Sequence, residues 1–276
     1  MGPRSGDPEG PVERPELPEH LRPRAKADSA GQSFEGRTFQ AHDTTYADDD
    51  GTADPRVLVA LEALRAGTGT EVDVLEALRG IRLLIPLLAH AGDEGVNEHG
   101  VTVDKTQELA IVTVQGPDGR AVLPAFTSVT ALRAWDPRAR PVPAESRRVA
   151  IAAVSESTEL MVLDPGSPTE FGVRRPALWA LAQDLPWVPA HLDAEVGAAF
   201  LEAAAGEDAV ESVGLAPGAV SPALVGPELV VQLVLRPGLD QEGLAALVGR
   251  LQARWTASEV IATRVDSMAV RVVAAR

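Results

Sequence analysis

The thirteen residues from Gly116 to Ser128, GPDGRAVLPAFTS, encode a turn, a strand and a helix start in succession. Gly116-Pro117-Asp118-Gly119 is hairpin chemistry, because an Asp-Gly step accepts the backbone angles that a tight turn requires. Short apolar segments flank it, Glu108 to Val114 and Arg120 to Ala125, and the spacing predicts two paired strands. Thr127 and Ser128 suit a helix N-cap, since a hydroxyl oxygen can accept from the unpaired N–H groups of the first turn. The helix they start is expected to be short, because Trp135-Asp136-Pro137 closes it.

Toward the N-terminus, Ile81 to Leu88 reads as a buried strand with Pro86 near an edge or at a bulge. Before it, Val57, Leu58, Leu61 and Leu64 repeat at helical spacing behind Asp54-Pro55, a cap followed by a first-turn proline. A second such run is Val72, Leu75 and Leu78, and Gly67-Thr68-Gly69 between them is most simply a helix–helix loop. It lacks the third glycine and the preceding strand of a dinucleotide loop. From Met1 to about Asp54, prolines, glycines and charges dominate without any period, so this segment is expected to be a disordered tail. Its aromatics Phe34, Phe39 and Tyr46 are read as stray linker residues, with a short docking motif as the alternative.

Toward the C-terminus the pattern predicts a helix at Ser146 to Ser155, strands at Glu159 to Leu163 and Glu170 to Arg174, and a helix at Pro176 to Gln183. Pro186-Trp187-Val188-Pro189 is a stiff, extended joint. Beyond it come a helix (Ala194 to Ala204), strands near Ala209 to Leu215 and Glu228 to Leu235, a helix (Gln241 to Trp255) and a strand (Ser267 to Val273). The fold expected is α+β: two mixed α/β modules in series, residues 55–186 and 190–276, behind a disordered tail over residues 1–54. Trp187 is expected to pack between the modules.

Composition narrows function by exclusion. The 276 residues carry a net charge of −15, of which −5 lies in the first fifty. Such an acidic chain repels phosphate, so neither nucleic acid nor an anionic membrane is expected as a partner. Without cysteine there is no thiolate nucleophile, no disulfide and no Cys-type zinc site. The most apolar stretch, Leu83 to Ala89, is far shorter than the roughly 20 residues that cross a bilayer, and residues 1–26 lack a signal-peptide core. The expected location is the cytoplasm.

Several of these segments together resemble the SseB N-terminal domain family of bacteria. They are Asp48 to Pro55, Leu83 to Pro86, Pro117 to Arg120, Leu123 to Ser128 and Trp135 to Pro137, the Gly-Arg hairpin before Pro-x-Phe-Thr-Ser being the most specific. The likeness spans about residues 50 to 185. The strand–helix–strand run from Glu228 to Val273 is similar in pattern to the family's C-terminal domain. The family's name, from enhanced sensitivity to serine, implies a link to amino-acid metabolism, and it brings no catalytic residues to carry over.

His90, Asp93, Glu94, Glu98 and His99 crowd one polar connection, but their spacing fits a solvated loop better than a metal centre. His191 and Asp193 stand near the joint with no serine in a nucleophile elbow. Asp164-Pro165-Gly166 is most simply a turn, although a carboxylate ending a strand can belong to a site. The four tryptophans are expected to pack against neighbouring elements. No catalytic residue, metal or cofactor is assigned. The one site hypothesis is a small-anion site of Arg120, Thr127 and Ser128, in which the helix N-terminus and the arginine would hold a carboxylate. Its simpler competitor is that a hydroxyl caps the helix and Arg120 closes the hairpin. The function expected is a non-catalytic interaction or regulatory protein with a protein partner, the alternative being a sensor of an amino acid or another small anionic metabolite, and an enzyme ranking third.

Overall fold

The computed structural model describes residues 45–89, 94–96, 102–104, 109–116, 119–155, 158, 160–218 and 224–275. Residues 1–44 of the expected tail, and His90, Asp93, Glu98 and His99 of the polar connection, lie outside them. Asp48–Arg276 forms one compact unit of α+β architecture.

Its first elements are α1 (Pro55–Arg65), α2 (Glu71–Ala77) and β1 (Arg82–Ala89). Asp54 caps α1 and Pro55 fills its first turn. A reciprocal capping box between Thr70 and Asp73 starts α2. Asp49 to Asp54, which composition groups with the tail, are tied to the domain. Arg82 forms an ion pair with Asp49 and donates to the carbonyl of Thr52 at 2.7 Å. A Cβ on Gly51 would lie 2.7 Å from Val129 Cγ2, and its φ of +78° also favours glycine.

Then follow β2 (Glu94–Val96), β3 (Thr102–Asp104), β4 (Leu109–Ile111), β5 (Val114–Gln115), β6 (Ala121–Ala125), α3 (Val129–Trp135), β7 (Arg140–Glu145) and α4 (Ser146–Ser155). The hairpin of β5 and β6 forms around Gly116 and Gly119, but the strand expected over Glu108 to Val114 is divided: only Val114 and Gln115 pair across the turn, while Leu109–Ile111 pair with β1 in another sheet. The first half closes with β8 (Met161–Leu163), β9 (Phe171–Val173) and α5 (Arg175–Gln183). Two sheets, β4-β1-β7 and β5-β6-β8-β9, meet where Leu84 and Phe126 exchange backbone hydrogen bonds of 2.8 and 2.9 Å.

Pro86 stands in the central strand of its sheet rather than on an edge. The reason is local. Leu84 and Pro86 point their backbones the same way, Leu84 bonds Phe126, and β4 pairs only from Leu87 onward, so the missing N–H falls in the gap between. Strand β7, with Pro141 and Pro143, escaped the sequence reading because prolines mark breaks; an edge strand tolerates them where the N–H would face away from the sheet.

Alternation along the strands serves two cores. Leu83, Ile85, Leu123, Ala125, Met161 and Leu163 face the large cluster formed with α1, α2, α4 and α5. Leu84 and Phe126 face the other way, against Leu132 of α3, where Phe126 and Trp135 pack at 5.4 Å.

The second half comprises α6 (Ala194–Ala204), β10 (Val210–Pro217), β11 (Leu229–Leu235), α7 (Gln241–Ala257), α8 (Glu259–Arg264) and β12 (Met268–Ala274). Its sheet is β10-β11-β12, with β11 and β12 parallel across the α7–α8 crossover. Every second residue of β11, from Leu229 to Leu235, enters a core with Val196, Phe200, Leu247, Leu251 and Trp255. Helix α8 lies in a stretch to which the sequence reading assigns no element: it is only six residues long, too short to show an apolar period, and Ser258, which ends α7, also caps it.

Candidate functional site

Two buried polar centres lie in this unit, and they differ in how well they are satisfied. The first is Asp164, fully buried at the end of β8 with a φ of +44°. Its carboxylate accepts from the Thr127 backbone N–H (2.8 Å), the Thr127 hydroxyl (2.7 Å) and the Thr169 hydroxyl (2.8 Å). Its own N–H donates to the carbonyl of Ala125. The parallel ends of β6 and β8 are thus locked side by side, as the arrangement of a turn-forming acid buried beneath two threonines requires.

The second centre joins the two halves. Asp266, just before β12, has a fully buried side chain and accepts from Arg120 at 2.8 and 3.1 Å and from Arg174 at 3.2 Å. Burial by itself would raise the Asp266 carboxyl; the Arg120 hydrogen bonds and charge, then those of Arg174, hold it below the usual carboxylate range. Glu228, immediately before β11, accepts the Asp266 backbone N–H through Oε2, and its own N–H donates to Ser267 Oγ at 3.1 Å. Its other oxygen, Oε1, is buried without a hydrogen-bond partner. Burial pushes the Glu228 carboxyl up to about 7, against the lowering effect of the Asp266 N–H; the Asp266 and Glu71 charges add to the rise and Arg174 opposes it.

Glu228 lines a cleft of about 360 Å³, a size suited to a small molecule. One wall comes from the first half: the α1–α2 connection at Gly67 and Gly69, then Glu71 and Leu75 of α2, and Phe171 of β9. The other comes from Trp187, Leu192 and the end of β10 at Gly218. A Cβ on Gly218 would stand 1.9 Å from the carbonyl oxygen of Pro227, so only glycine lets the chain close beside Glu228. Trp187 packs against the first core while lining the cleft, and its Nε1 is also buried without a partner.

The three residues of the small-anion hypothesis engage separate partners. Arg120 reaches Asp266, Thr127 holds Asp164, and Ser128 Oγ accepts from the Ala131 N–H at 3.1 Å as the N-cap of α3. Helix α3, at seven residues, offers little dipole for an anion. Glu228, Asp266 and Arg174 were not singled out from sequence. The single cue was the Asp266-Ser267 step, a polar pair where the chain enters a strand.

The architecture defines an α+β protein whose two halves are joined by a shared carboxylate and enclose a cleft. Residues 57–180 match the SseB protein N-terminal domain family, and the chain carries that domain. No curated protein and no solved structure matches the chain. Among the described residues, no helix is long and apolar enough to cross a membrane, and no three acids or histidines group as a metal site.

Proposed function

We propose that this SseB-domain protein is a non-catalytic regulatory protein of the cytoplasm, with residues 55–186 and 190–276 as two modules that respond to a small molecule in the cleft between them. The second module is read as the family's C-terminal domain, and the response as passing to a protein partner. The observation that carries the reading is the cleft itself, walled from both halves and containing a buried carboxylate oxygen that the protein leaves unpaired. Native proteins pair nearly all such atoms, and those left over call for an explanation such as a missing ligand. An occupant would bridge both halves and so fix the way they meet. The absence of cysteine and of a nucleophile elbow in the sequence supports a binding role over a catalytic one. The net charge of −15 argues against a nucleic-acid partner.

The test is a thermal-shift screen of the full chain against amino acids and other small metabolites, the class to which the family name points. A true occupant raises the melting temperature with concentration, and the rise is lost in a Leu192→Trp variant that crowds the cleft from a mostly exposed position. Affinity purification with and without that compound then reads the partner. A screen in which nothing stabilises the protein would reject the reading.

A further inference from the structure

The chemistry of the cleft narrows its occupant. The body of the ligand meets Leu75, Phe171, Trp187 and Leu192, all apolar. The polar end meets Glu228, whose Oε1 is buried and unpartnered while Oε2 is already used by the Asp266 N–H. The charged groups around Glu228 are Glu71 from α2, Asp266 before β12, Arg174 before α5 and, beyond Asp266, Arg120 and Arg175, the last donating to the Val265 carbonyl at 2.6 Å. Arg120 and Arg174 are engaged with Asp266, Arg174 also donating to the Gly226 carbonyl at 3.0 Å. Of the acids and arginines that line the cleft itself, Glu71 and Glu228 are carboxylates and Arg174 is the one guanidinium, so the lining carries one negative charge in excess when all are ionised. An anion entering there would meet that excess, whereas a cation would neutralise it.

We propose that the cleft takes a small molecule with an apolar body and a protonated amine, and that the Glu228 carboxylate holds the amine. The inference rests on the cleft being a ligand site. It follows that binding favours ionised Glu228. Because burial holds this carboxyl near 7, the competent fraction, and with it the apparent affinity, rises about tenfold from pH 6 to pH 8.

The experiment uses the full chain and three probes of one size: n-butylammonium, n-butanol and butyrate. Binding is followed through the indole N–H signal of Trp187 by NMR, assigned with a Trp187→Phe variant, at pH 6, 7 and 8. The expected order is n-butylammonium first, at least about tenfold tighter than n-butanol, with butyrate weakest. The ammonium affinity should climb with pH, and Glu228→Gln should lose both the climb and the preference. His191 also lines the cleft, and its contribution has to be separated from that of Glu228. His191→Gln must therefore keep the climb; if it flattens the profile, Glu228 is not the anchor. Butanol or butyrate binding as well as the amine would overturn the amine assignment and leave the cleft a ligand site. Failure of all three to perturb Trp187 would overturn the amine assignment and count against the ligand site as well.

Discussion

Asp164 and Glu228 are both acids brought into the interior, yet the protein treats them oppositely. Asp164 has three donors on its two oxygens and no exposed surface. Glu228 has one donor on one oxygen and an open partner position on the other. Burying a carboxylate is costly unless hydrogen bonds replace its water. At Asp164 that replacement is complete, which marks a structural device. At Glu228 it is partial, and the carboxyl is left with a raised proton affinity beside a cavity. Incomplete satisfaction, rather than burial or charge alone, separates a candidate site from a staple.

The largest test of the contrast is Asp164→Ala. It leaves the Thr127 N–H and two threonine hydroxyls without their acceptor, and places alanine at a φ of +44°. Chemical denaturation should show a loss of about 4 kcal/mol. Asp164→Asn keeps an acceptor for the N–H and suits the positive φ, so it should lose less than half as much.

Glu228 should behave in the reverse sense. Its carboxyl sits near 7 when folded and near 4.5 when unfolded, so the folded state binds the proton more tightly. Stability from this group is therefore fully present below about pH 4.5 and is lost as pH rises to about 7, on the order of 3 kcal/mol in all. Acids held low by arginines, such as Asp193, act with the opposite sign and in a lower window, below pH 4. Glu228→Gln should accordingly flatten the decline between pH 4.5 and 7 and leave a protein more stable than wild type at pH 8. A steeper decline in the variant would sink the assignment.

Arg120→Ala probes the bridge that lies between the two cases. Asp266 would lose its two-pronged partner and keep only Arg174. Since Arg120 is about one-third exposed, water offsets part of the loss, and about 2 kcal/mol is expected by denaturation. The same variant addresses the small-anion hypothesis. A compound that stabilises wild type and this variant equally does not use Arg120 as its anchor.

The contrast also explains what could be read from sequence. The turn at Gly116–Gly119 and the strand after it, the caps at Asp54 and Ser128, and the helices Ser146–Ser155 and Ala194–Ala204 are set by local turn chemistry and apolar period, and the structure has them where the sequence places them; the strand before the turn is not, because Leu109–Ile111 pair with β1 instead. Strand β7 and the position of Pro86 depend on which neighbour lies across the sheet, which no local period records. Asp164 could be seen as a strand-end carboxylate, but not its threonine partners. Glu228 and Asp266 were invisible for a stronger reason. They are 38 residues apart and meet Arg120 and Arg174 from the other half only after both halves have folded.

The smallest expected effect belongs to Ser128, and it sharpens the comparison because it removes a hydrogen bond that is partly exposed. Ser128 Oγ accepts the Ala131 N–H and starts α3, whose Leu132 packs under Phe126 and Leu84. Ser128→Ala deletes the cap without opening a cavity, at a cost of about 1 kcal/mol. Water can reach the freed N–H, so the loss should fall well short of that at Asp164, where solvent has no access. If the hydroxyl instead belonged to an anion site, the variant would weaken ligand-induced stabilisation by more than it lowers the stability of the free protein. A thermal-shift titration of wild type and Ser128→Ala with the same compound separates the two. Parallel shifts identify a cap, and a shift that vanishes in the variant identifies a ligand contact.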